Sequence, residues 1–336
     1  EFSDELNNLG VRVSNLEDRV GNVKLTGDAR IRYMKQGKAL ENDKSWQFRG
    51  RLRANAKIND RADAVLGINY NSRFDSTRAA SAGDDGDKDQ FFVDRAYVNY
   101  ALDNGHKWNV MVGRYDYELG NASGIQYGDN FDGAQLKFAN KKMAATAGYG
   151  KFREGDILKD TKTAYGELEG FFGGGTVAGS AVGAFYNNFN KSDAVGAGVV
   201  VPDDLWGAYT SLNFAKKFNF LGEYQKVNNP GTSTDADVFY GKLQYGKALF
   251  AQPKTWDLWV DYVNIDKNGV YGSTGNWRTD SLLGIGTGNG AKGWGVGADY
   301  AFAKNAQFQV FQTFNSKTKA SQDIDELTRA QFVFVF

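Results

Sequence analysis

The chain contains no cysteine, only three prolines, a single histidine and no long apolar run. Without cysteine it can form neither a disulfide framework nor a thiolate metal site. No segment approaches the ~20 consecutive apolar residues that a transmembrane helix needs. Lysine plus arginine and aspartate plus glutamate both number 40, so no net charge favours nucleic acid as a partner. Residues 1–20 lack the basic and apolar regions of a signal peptide, and we interpret the chain as a mature or trimmed product.

Segment 46–58 shows a regular alternation of apolar and polar residues. Alternate residues from Trp46 to Ile58 are apolar, whereas Arg49, Arg51 and Arg53 share the other face. A period of two predicts a β-strand, because successive side chains point to opposite faces. The segment is also longer than the usual strand of ~5–6 residues. An outer-membrane barrel requires this arrangement, with apolar side chains towards lipid and charges towards a watery lumen.

The same alternation recurs along residues 22–336 and predicts sixteen strands. They are expected near 23–33, 46–58, 61–74, 92–102, 107–115, 133–139, 143–152, 163–172, 176–187, 204–214, 218–227, 237–245, 255–263, 292–302, 306–314 and 327–336. Short turns alternate with longer loops, as in bacterial barrels, where the short turns are periplasmic. All three prolines fall in connections, where no paired strand loses a hydrogen bond. We predict an all-β, 16-stranded antiparallel transmembrane β-barrel; the alternative is a soluble two-domain β protein.

Residues 1–21 carry a different repeat. Their apolar residues are spaced alternately by four and three positions, which is the heptad pattern of a coiled coil. The residues of the seam and its flanks are Leu6, Leu9, Arg12, Val13, Leu16, Glu17 and Val20. Residues 12–17 resemble the R-h-x-x-h-E trimerisation motif of short coiled coils. A lone helix of this length is marginal in water, so we predict a trimeric stalk, with an amphipathic helix packed on its own domain as the alternative. An even strand number places this stalk on the periplasmic side.

Seven arginines of the early strands are predicted to point into the lumen and form a basic wall. They are Arg30, Arg32, Arg49, Arg51, Arg53, Arg73 and Arg95. Residues 112–115 and 129–132 flank a connection that resembles the third loop of general porins, which folds into the barrel and narrows it. Arg114, Asp116, Glu118 and Asp129 would then lie at the constriction, with the three carboxylates facing the arginines. The alternative is that these arginines form ordinary salt bridges that only stiffen the wall.

Catalytic and metal-binding interpretations have little support in the sequence. The single histidine, His106, lies in a predicted turn without the partners of a catalytic triad. Acidic pairs such as Glu167 and Glu169 could in principle serve a glycosidase, although a charged lumen predicts such pairs anyway. Loop 81–89 could bind Ca²⁺ through its carboxylates, but it lacks the ordered spacing of an EF-hand. No other cofactor is expected.

The heptads of 2–23, the strand pair of 24–58 and the terminal strand of 327–336, which ends in Phe336, together resemble the OmpM-type porins. These are stalk-tethered outer-membrane porins of diderm Firmicutes. The resemblance implies a homotrimer in the bacterial outer membrane, in contact with lipids and lipopolysaccharide, with its stalk in the periplasm. The family binds peptidoglycan through an N-terminal S-layer-homology domain, which is missing here, so these residues alone would not complete the tether.

We therefore predict a passive diffusion channel for small hydrophilic solutes and ions, without catalysis. Three alternatives remain open at this point. The barrel could be mainly a structural anchor with a narrow pore, or an anion- or substrate-selective channel. An enzyme barrel is the third, and a single histidine argues against it.

Overall fold

The computed structural model describes residues 5, 21–37, 43–76, 90–155, 158–173, 179–190, 201–231, 234–271, 275–277 and 290–336. Only Glu5 of the first twenty residues is described, so the predicted coiled-coil stalk lies outside the described residues. The candidate calcium loop 81–89 lies outside them as well.

Sixteen antiparallel strands form one closed barrel, as the alternation predicts. In chain order they are β1 (Val23–Gly37), β2 (Asp43–Lys57), β3 (Ala62–Ser76), β4 (Gln90–Ala101), β5 (Trp108–Glu118), β6 (Gly128–Ala139), β7 (Met143–Phe152), β8 (Lys162–Phe172), β9 (Ser180–Asn190), β10 (Asp204–Phe214), β11 (Phe218–Asn228), β12 (Ala236–Gly246), β13 (Trp256–Ile265), β14 (Ala291–Ala303), β15 (Ala306–Thr318) and β16 (Glu326–Val335). Each strand pairs with its neighbours in sequence. Connections at one end of the barrel are shorter than the neighbouring connections at the other end, as predicted, except that the β12–β13 turn, residues 247–255, is longer than the β11–β12 connection, residues 229–235.

The barrel closes where β16 pairs with β1, in a register that runs from Asp28 opposite Val335 to Gly37 opposite Glu326. Gly27 and Phe336 continue this ladder by exchanging backbone hydrogen bonds of 2.9 and 3.0 Å. A Cβ atom at residue 27 would lie 2.3 Å from the carbonyl oxygen of Arg51, so the seam requires glycine there. Closure pairs both edges of the sheet, which is how barrels avoid exposed strand edges.

The polarity of the wall is the reverse of that in a water-soluble barrel. Large apolar side chains on its outer face are exposed, including Leu66 at 56% and Leu258 at 51%. Charged side chains on its inner face are buried, including Arg95 at 6% and Asp261 at 1%. No helix in the described ranges has the length and apolar character to cross a membrane. The alternation read from the sequence therefore corresponds to an apolar exterior and a polar lumen.

Two bands of aromatic side chains encircle the outer face, one near each end of the strands. At the long-loop end Tyr262 and Trp294 have ring centroids 4.7 Å apart; at the short-turn end Trp108 and Phe138 are 4.9 Å apart. On β14 the bands are eight residues apart, from Trp294 to Phe302, or about 27 Å along the strand. For a strand tilt of ~40° this spans about 21 Å across the wall, near the ~25 Å apolar band of outer-membrane barrels.

Both strands of the β5–β6 hairpin are longer than predicted. The predicted fifth strand ends at residue 115 and the predicted sixth strand begins at residue 133, whereas β5 continues to Glu118 and β6 starts at Gly128. Residues 116–118 and 128–132 therefore belong to a longer hairpin rather than to a loop. β9 is also shifted, to Ser180–Asn190 instead of 176–187.

Candidate functional site

The end of the β5–β6 hairpin, residues 115–131, lies inside the barrel and is here called the inner hairpin. β5 pairs with β4 only as far as Arg114, opposite Ala96, yet it stays paired with β6 out to Glu118 and Gly128. The hairpin therefore separates from the wall after Arg114. Gly113, just before this point, has φ of 128°, and a Cβ there would lie 2.2 Å from the carbonyl oxygen of Ala96. Only glycine accommodates this close approach and conformation.

Arg114 lies where β4 and β5 separate. Its guanidinium donates to both carboxylate oxygens of Asp132, at 2.6 and 2.9 Å, and to the carbonyl oxygen of Val93 at 2.9 Å. A planar fork with two parallel bonds is the arrangement that guanidinium groups favour with carboxylates. Arg114 thus ties β6 to β4 across the gap left by the inner hairpin.

One face of the inner hairpin packs against the inside of the barrel wall. The ring of Tyr117 lies 4.4 Å from that of Tyr165 on β8 and 6.2 Å from that of Phe152 on β7, measured between centroids. Leu119 and Ile125 are completely buried in the same cluster. Their burial supplies the apolar stabilisation that keeps the hairpin folded inwards.

Two glutamates of the wall hold the tip of the inner hairpin. Glu223 on β11, 5% exposed, accepts hydrogen bonds from the backbone N–H and the Oγ of Ser123, at 2.9 and 2.8 Å. Glu167 on β8 accepts from the backbone N–H of Gly120 at 3.4 Å and from the amide of Asn121 at 2.5 Å. Donors at the tip would otherwise be buried without partners, which is unfavourable. Glu167 and Glu223 therefore hold the tip of the inner hairpin in position.

Part of the connection between β13 and β14 holds the opposite side of the tip. The amide of Gln126 donates to the carbonyl oxygen of Gly269 at 2.5 Å and accepts from the backbone N–H of Tyr271 at 3.2 Å. Asn276 donates to the carbonyl oxygen of Ser123 at 2.6 Å. Residues 269–271 and 275–277 therefore reach into the barrel and fix the inner hairpin against the wall.

Two tyrosines in these connections are held as neutral phenols. Burial raises the pKa of Tyr127 well above its usual value, and its hydroxyl donates to the carbonyl oxygen of Asn130. Burial also raises the pKa of Tyr271, whose hydroxyl donates to the side chain of Asn229. Both therefore remain donors at neutral pH.

Acidic side chains lie among the arginines that were predicted to form the basic wall. Asp28 on β1 accepts from Arg49 at 3.0 Å and from Arg51 at 2.5 Å. Asp94 on β4 accepts from Arg53 at 3.1 Å. Pairing of this kind reduces the charge that each guanidinium presents to the lumen, without removing it.

A β-bulge explains how Asp94 comes to face the lumen. Alternation on β4 assigns it to the apolar face, but the register against β3 shifts between Gly67 and Ile68, so that Arg95 and Val93 have partners and Asp94 is the extra residue. One inserted residue changes the phase of a strand. Asp94 is consequently 2% exposed beside the arginines, and Val93 points outwards.

Arg95 links the basic wall to the inner hairpin. Its guanidinium lies 2.9 Å from Asp116 and donates to the side chain of Asn130. The carboxylate of Asp116 is on the hairpin face turned towards the lumen, with 65% of its side chain exposed. The hairpin therefore presents a carboxylate to Arg95.

Between the basic wall and the inner hairpin lies a polar cavity of about 450 Å³. The charged residues of its lining are Arg30, Arg32, Arg49, Arg51, Arg95, Arg329, Asp94, Asp116, Asp129 and Glu154. Six are cationic and four are anionic, so the described lining carries a net charge of about +2 at neutral pH. Asp28, paired just behind the lining, reduces this to about +1.

Four predicted residues, Arg53, Arg73, Arg114 and Glu118, are not among the residues that line this cavity. Arg53 pairs with Asp94 behind it, Arg73 is 9% exposed on β3, and Glu118 ends β5 on the exposed side of the hairpin. The guanidinium of Arg114 is paired with Asp132 in the barrel wall. His106 is an exposed turn residue, as predicted. Of the described residues, none form a group of three or more carboxylates or histidines suited to a metal ion.

Sequence reasoning missed several contributors to the cavity, among them Arg329, Glu154 and Trp277. Arg329 lies on β16. Alternation on that strand, together with the closure of β16 on β1, would have placed it beside the basic wall. Glu154 and Trp277 lie in connections that fold back into the barrel. Strand periodicity carries no information on such loops.

No known protein family and no curated protein sequence matches the chain. Several solved structures resemble it. Pseudomonas putida OprB at high pH superposes with a TM-score of 0.64 at 10% identity, covering 98% of this chain and 97% of that one. Salmonella typhi OmpF, in a complex with daunomycin, gives 0.60 at 15% identity, covering 95% and 99%. A triple mutant of Rhodopseudomonas blastica porin gives 0.54 at 13% identity, covering 94% and 100%. The fold is therefore that of a porin barrel.

Proposed function

We propose that this protein is an outer-membrane porin, a passive diffusion channel for small hydrophilic solutes and ions, and that it is not an enzyme. The observation that carries the proposal is a polar, charged cavity between the basic wall and the inner hairpin, inside a closed barrel with an apolar exterior. Sixteen strands enclose a lumen too wide for wall side chains alone to fill. An inward-folded hairpin leaves part of that lumen open.

The constriction selects by size and by charge. Arginines on β1, β2, β4 and β16 line the cavity together with the carboxylates of Asp116 and Asp129. Opposed charges produce a transverse field that orients dipolar solutes, and apolar solutes lose water there without gaining polar contacts. The excess of arginine in the lining favours a modest preference for anions, which is the specific reason to retain an anion-preferring channel as a second candidate.

Liposome swelling tests passive diffusion. Vesicles containing the protein should swell in sugars of increasing size at rates that fall steeply as the sugar approaches the width of the constriction. Protein-free vesicles are the baseline. Swelling that is equally fast for all sugars would contradict a constricted pore, and no swelling would support the structural-anchor alternative.

We further propose that the barrel of residues 22–336 is joined to a periplasmic coiled-coil stalk of residues 1–21 and that the protein is a homotrimer. The heptads and the resemblance of residues 12–17 to a trimerisation motif support this. The resemblance to OmpM-type porins extends the proposal to contact with lipopolysaccharide and to a peptidoglycan tether completed by a further N-terminal domain. Analytical ultracentrifugation in detergent of the chain with and without residues 1–21 tests the stalk's part in trimerisation.

A further inference from the structure

A second cavity, of about 830 Å³, lies at the short-turn end of the wall and takes no part in the constriction. It is bounded by the β10–β11 turn, by the β12–β13 turn and, on the lumen side, by the side chains of Asn213, Asn219 and Gln244. Four lysines reach it, and its described lining contains no acidic residue. The lysines, here called the rim lysines, are Lys216, Lys217, Lys247 and Lys254.

Two of the rim lysines adopt a conformation that lysine disfavours. Lys216 has φ of 65° and follows Ala215 at 47°, where a tight hairpin turn usually has Asn-Gly. Lys254 has φ of 70° in the neighbouring turn. A left-handed conformation is unfavourable for a residue with a Cβ, and strain of this kind concentrates at functional sites. Glycine or asparagine would adopt this backbone conformation with less strain. Lysine at these two positions therefore indicates that the ammonium groups have a function.

An apolar surface adjoins the cationic cavity. The rings of Phe214, Phe218, Tyr245 and Trp256 form a continuous row with centroid separations of 5.3, 4.9 and 5.7 Å. Trp256 is 47% exposed on the outer face, and Lys217 lies 5.6 Å from the centroid of Tyr245. This row belongs to the short-turn aromatic band, which in an outer-membrane barrel lies at the headgroup level of the inner leaflet.

We propose that the rim lysines bind the headgroup of an anionic phospholipid whose acyl chains lie along the aromatic row. The proposal rests on the outer-membrane placement given above, since only there do the two turns meet a lipid leaflet. Charge selects the occupant: four ammonium groups without a carboxylate complement a lipid with net negative charge. The exposed rings beside them complement acyl chains, which a free phosphate lacks.

Two matched quadruple variants test the proposal. The rim variant replaces the four lysines without straining the turns, since asparagine tolerates left-handed conformations. Its substitutions are Lys216→Asn, Lys217→Gln, Lys247→Gln and Lys254→Asn. The control variant removes four exposed lysines from other short turns of the same rim. Its substitutions are Lys107→Gln, Lys141→Gln, Lys142→Gln and Lys304→Gln.

Binding is measured by native mass spectrometry of detergent-solubilised protein titrated with short-chain phosphatidylglycerol. Phosphatidylcholine of the same chain length and glycerol phosphate serve as comparison ligands. We expect phosphatidylglycerol to bind the natural protein and the control variant equally, and the rim variant at least about tenfold more weakly, since each lysine near an anionic headgroup contributes several-fold. Equal loss in both variants, equal binding of phosphatidylcholine, or equally tight binding of glycerol phosphate alone would each overturn the proposal.

Conductance separates this inference from the channel function. Both variants are recorded in bilayers of phosphatidylcholine, and both should give the natural single-channel conductance because the rim lysines are outside the constriction. If the lipid measurements fail while conductance is retained, the lipid site is wrong and the porin proposal stands. If the natural protein itself gives no conductance, the porin proposal fails independently of the lipid result.

Discussion

Replacing Glu223 by leucine should release the tip of the inner hairpin. The substitution removes two hydrogen bonds to Ser123, of 2.9 and 2.8 Å, each contributing about 1 kcal/mol net. It also leaves the N–H of Ser123 buried without a partner, which costs a further ~1–3 kcal/mol. The docked state should therefore lose about 3–5 kcal/mol relative to the undocked state, and the undocked population should rise by a factor of about 10² to 4 × 10³.

Single-channel recording shows the consequence directly. An undocking hairpin changes the width of the lumen, so the open-state current of Glu223→Leu should become noisier than that of the natural protein and include larger sublevels. Glu223→Gln, whose amide oxygen can still accept from Ser123, should show a much smaller effect. Limited proteolysis in detergent should cut the hairpin faster in the leucine variant only.

Glu326 offers a matched control. It accepts from the backbone N–H and the Oγ of Ser316, at 2.8 and 2.7 Å, and from Thr313 at 2.6 Å. These are the same kinds of bond, but they join β15 to β16 and do not contact the hairpin. Glu326→Leu should lower barrel stability without adding noise to the open current. If Glu223→Leu leaves the current as quiet as the natural protein, or both variants add equal noise, the glutamate does not hold the hairpin.

Three other substitutions probe separate parts of the account. Leu52→Arg places a charge on the outer face and should reduce the free energy of unfolding in lipid vesicles by ~2–4 kcal/mol if residue 52 lies near the bilayer midplane; an unchanged value would contradict a lipid-facing position. Joint replacement of Arg49, Arg51 and Arg53 by alanine should move the reversal potential in a salt gradient towards cation preference, because it removes two cations from the lining and releases the partner acids; an unchanged potential would mean that these groups do not govern selectivity. Gly113→Val should prevent the close approach to Ala96 and raise the diffusion rate of large sugars, whereas unchanged rates would show that this glycine is not needed for the hairpin to turn inwards.

Strand periodicity predicted the number, order and polarity of the strands because each transmembrane strand repeats the same two-sided contrast. It could not predict the bulge at Asp94, since an inserted residue interrupts the alternation on which the assignment depends. The sequence nevertheless showed that strict alternation would place the charged side chain of Asp94 on the apolar face of its strand. A charged residue on the apparent lipid side of a strand is thus a signal for a bulge.

The candidate site was predictable only in part, for a related reason. Asp116, which the sequence predicted to face the arginines, lies 2.9 Å from Arg95. The contacts that fix the inner hairpin join residues far apart in the chain, such as Ser123 with Glu223 and with Asn276. Such pairs depend on closure of the whole barrel, which no local pattern encodes. Arg329 differs from these residues, because the alternation of β16 and the pairing of β16 with β1 are enough to place its side chain on the inner face.

The central claim is that an apolar-coated barrel encloses an open, charged constriction, and single-channel recording tests it most directly. Purified protein added to a planar bilayer should give discrete, uniform conductance steps, each reduced by sugars small enough to enter the constriction and unaffected by polymers too large to do so. Protein that inserts stably into the bilayer yet gives no conductance steps would contradict the account, because the lumen would then be closed.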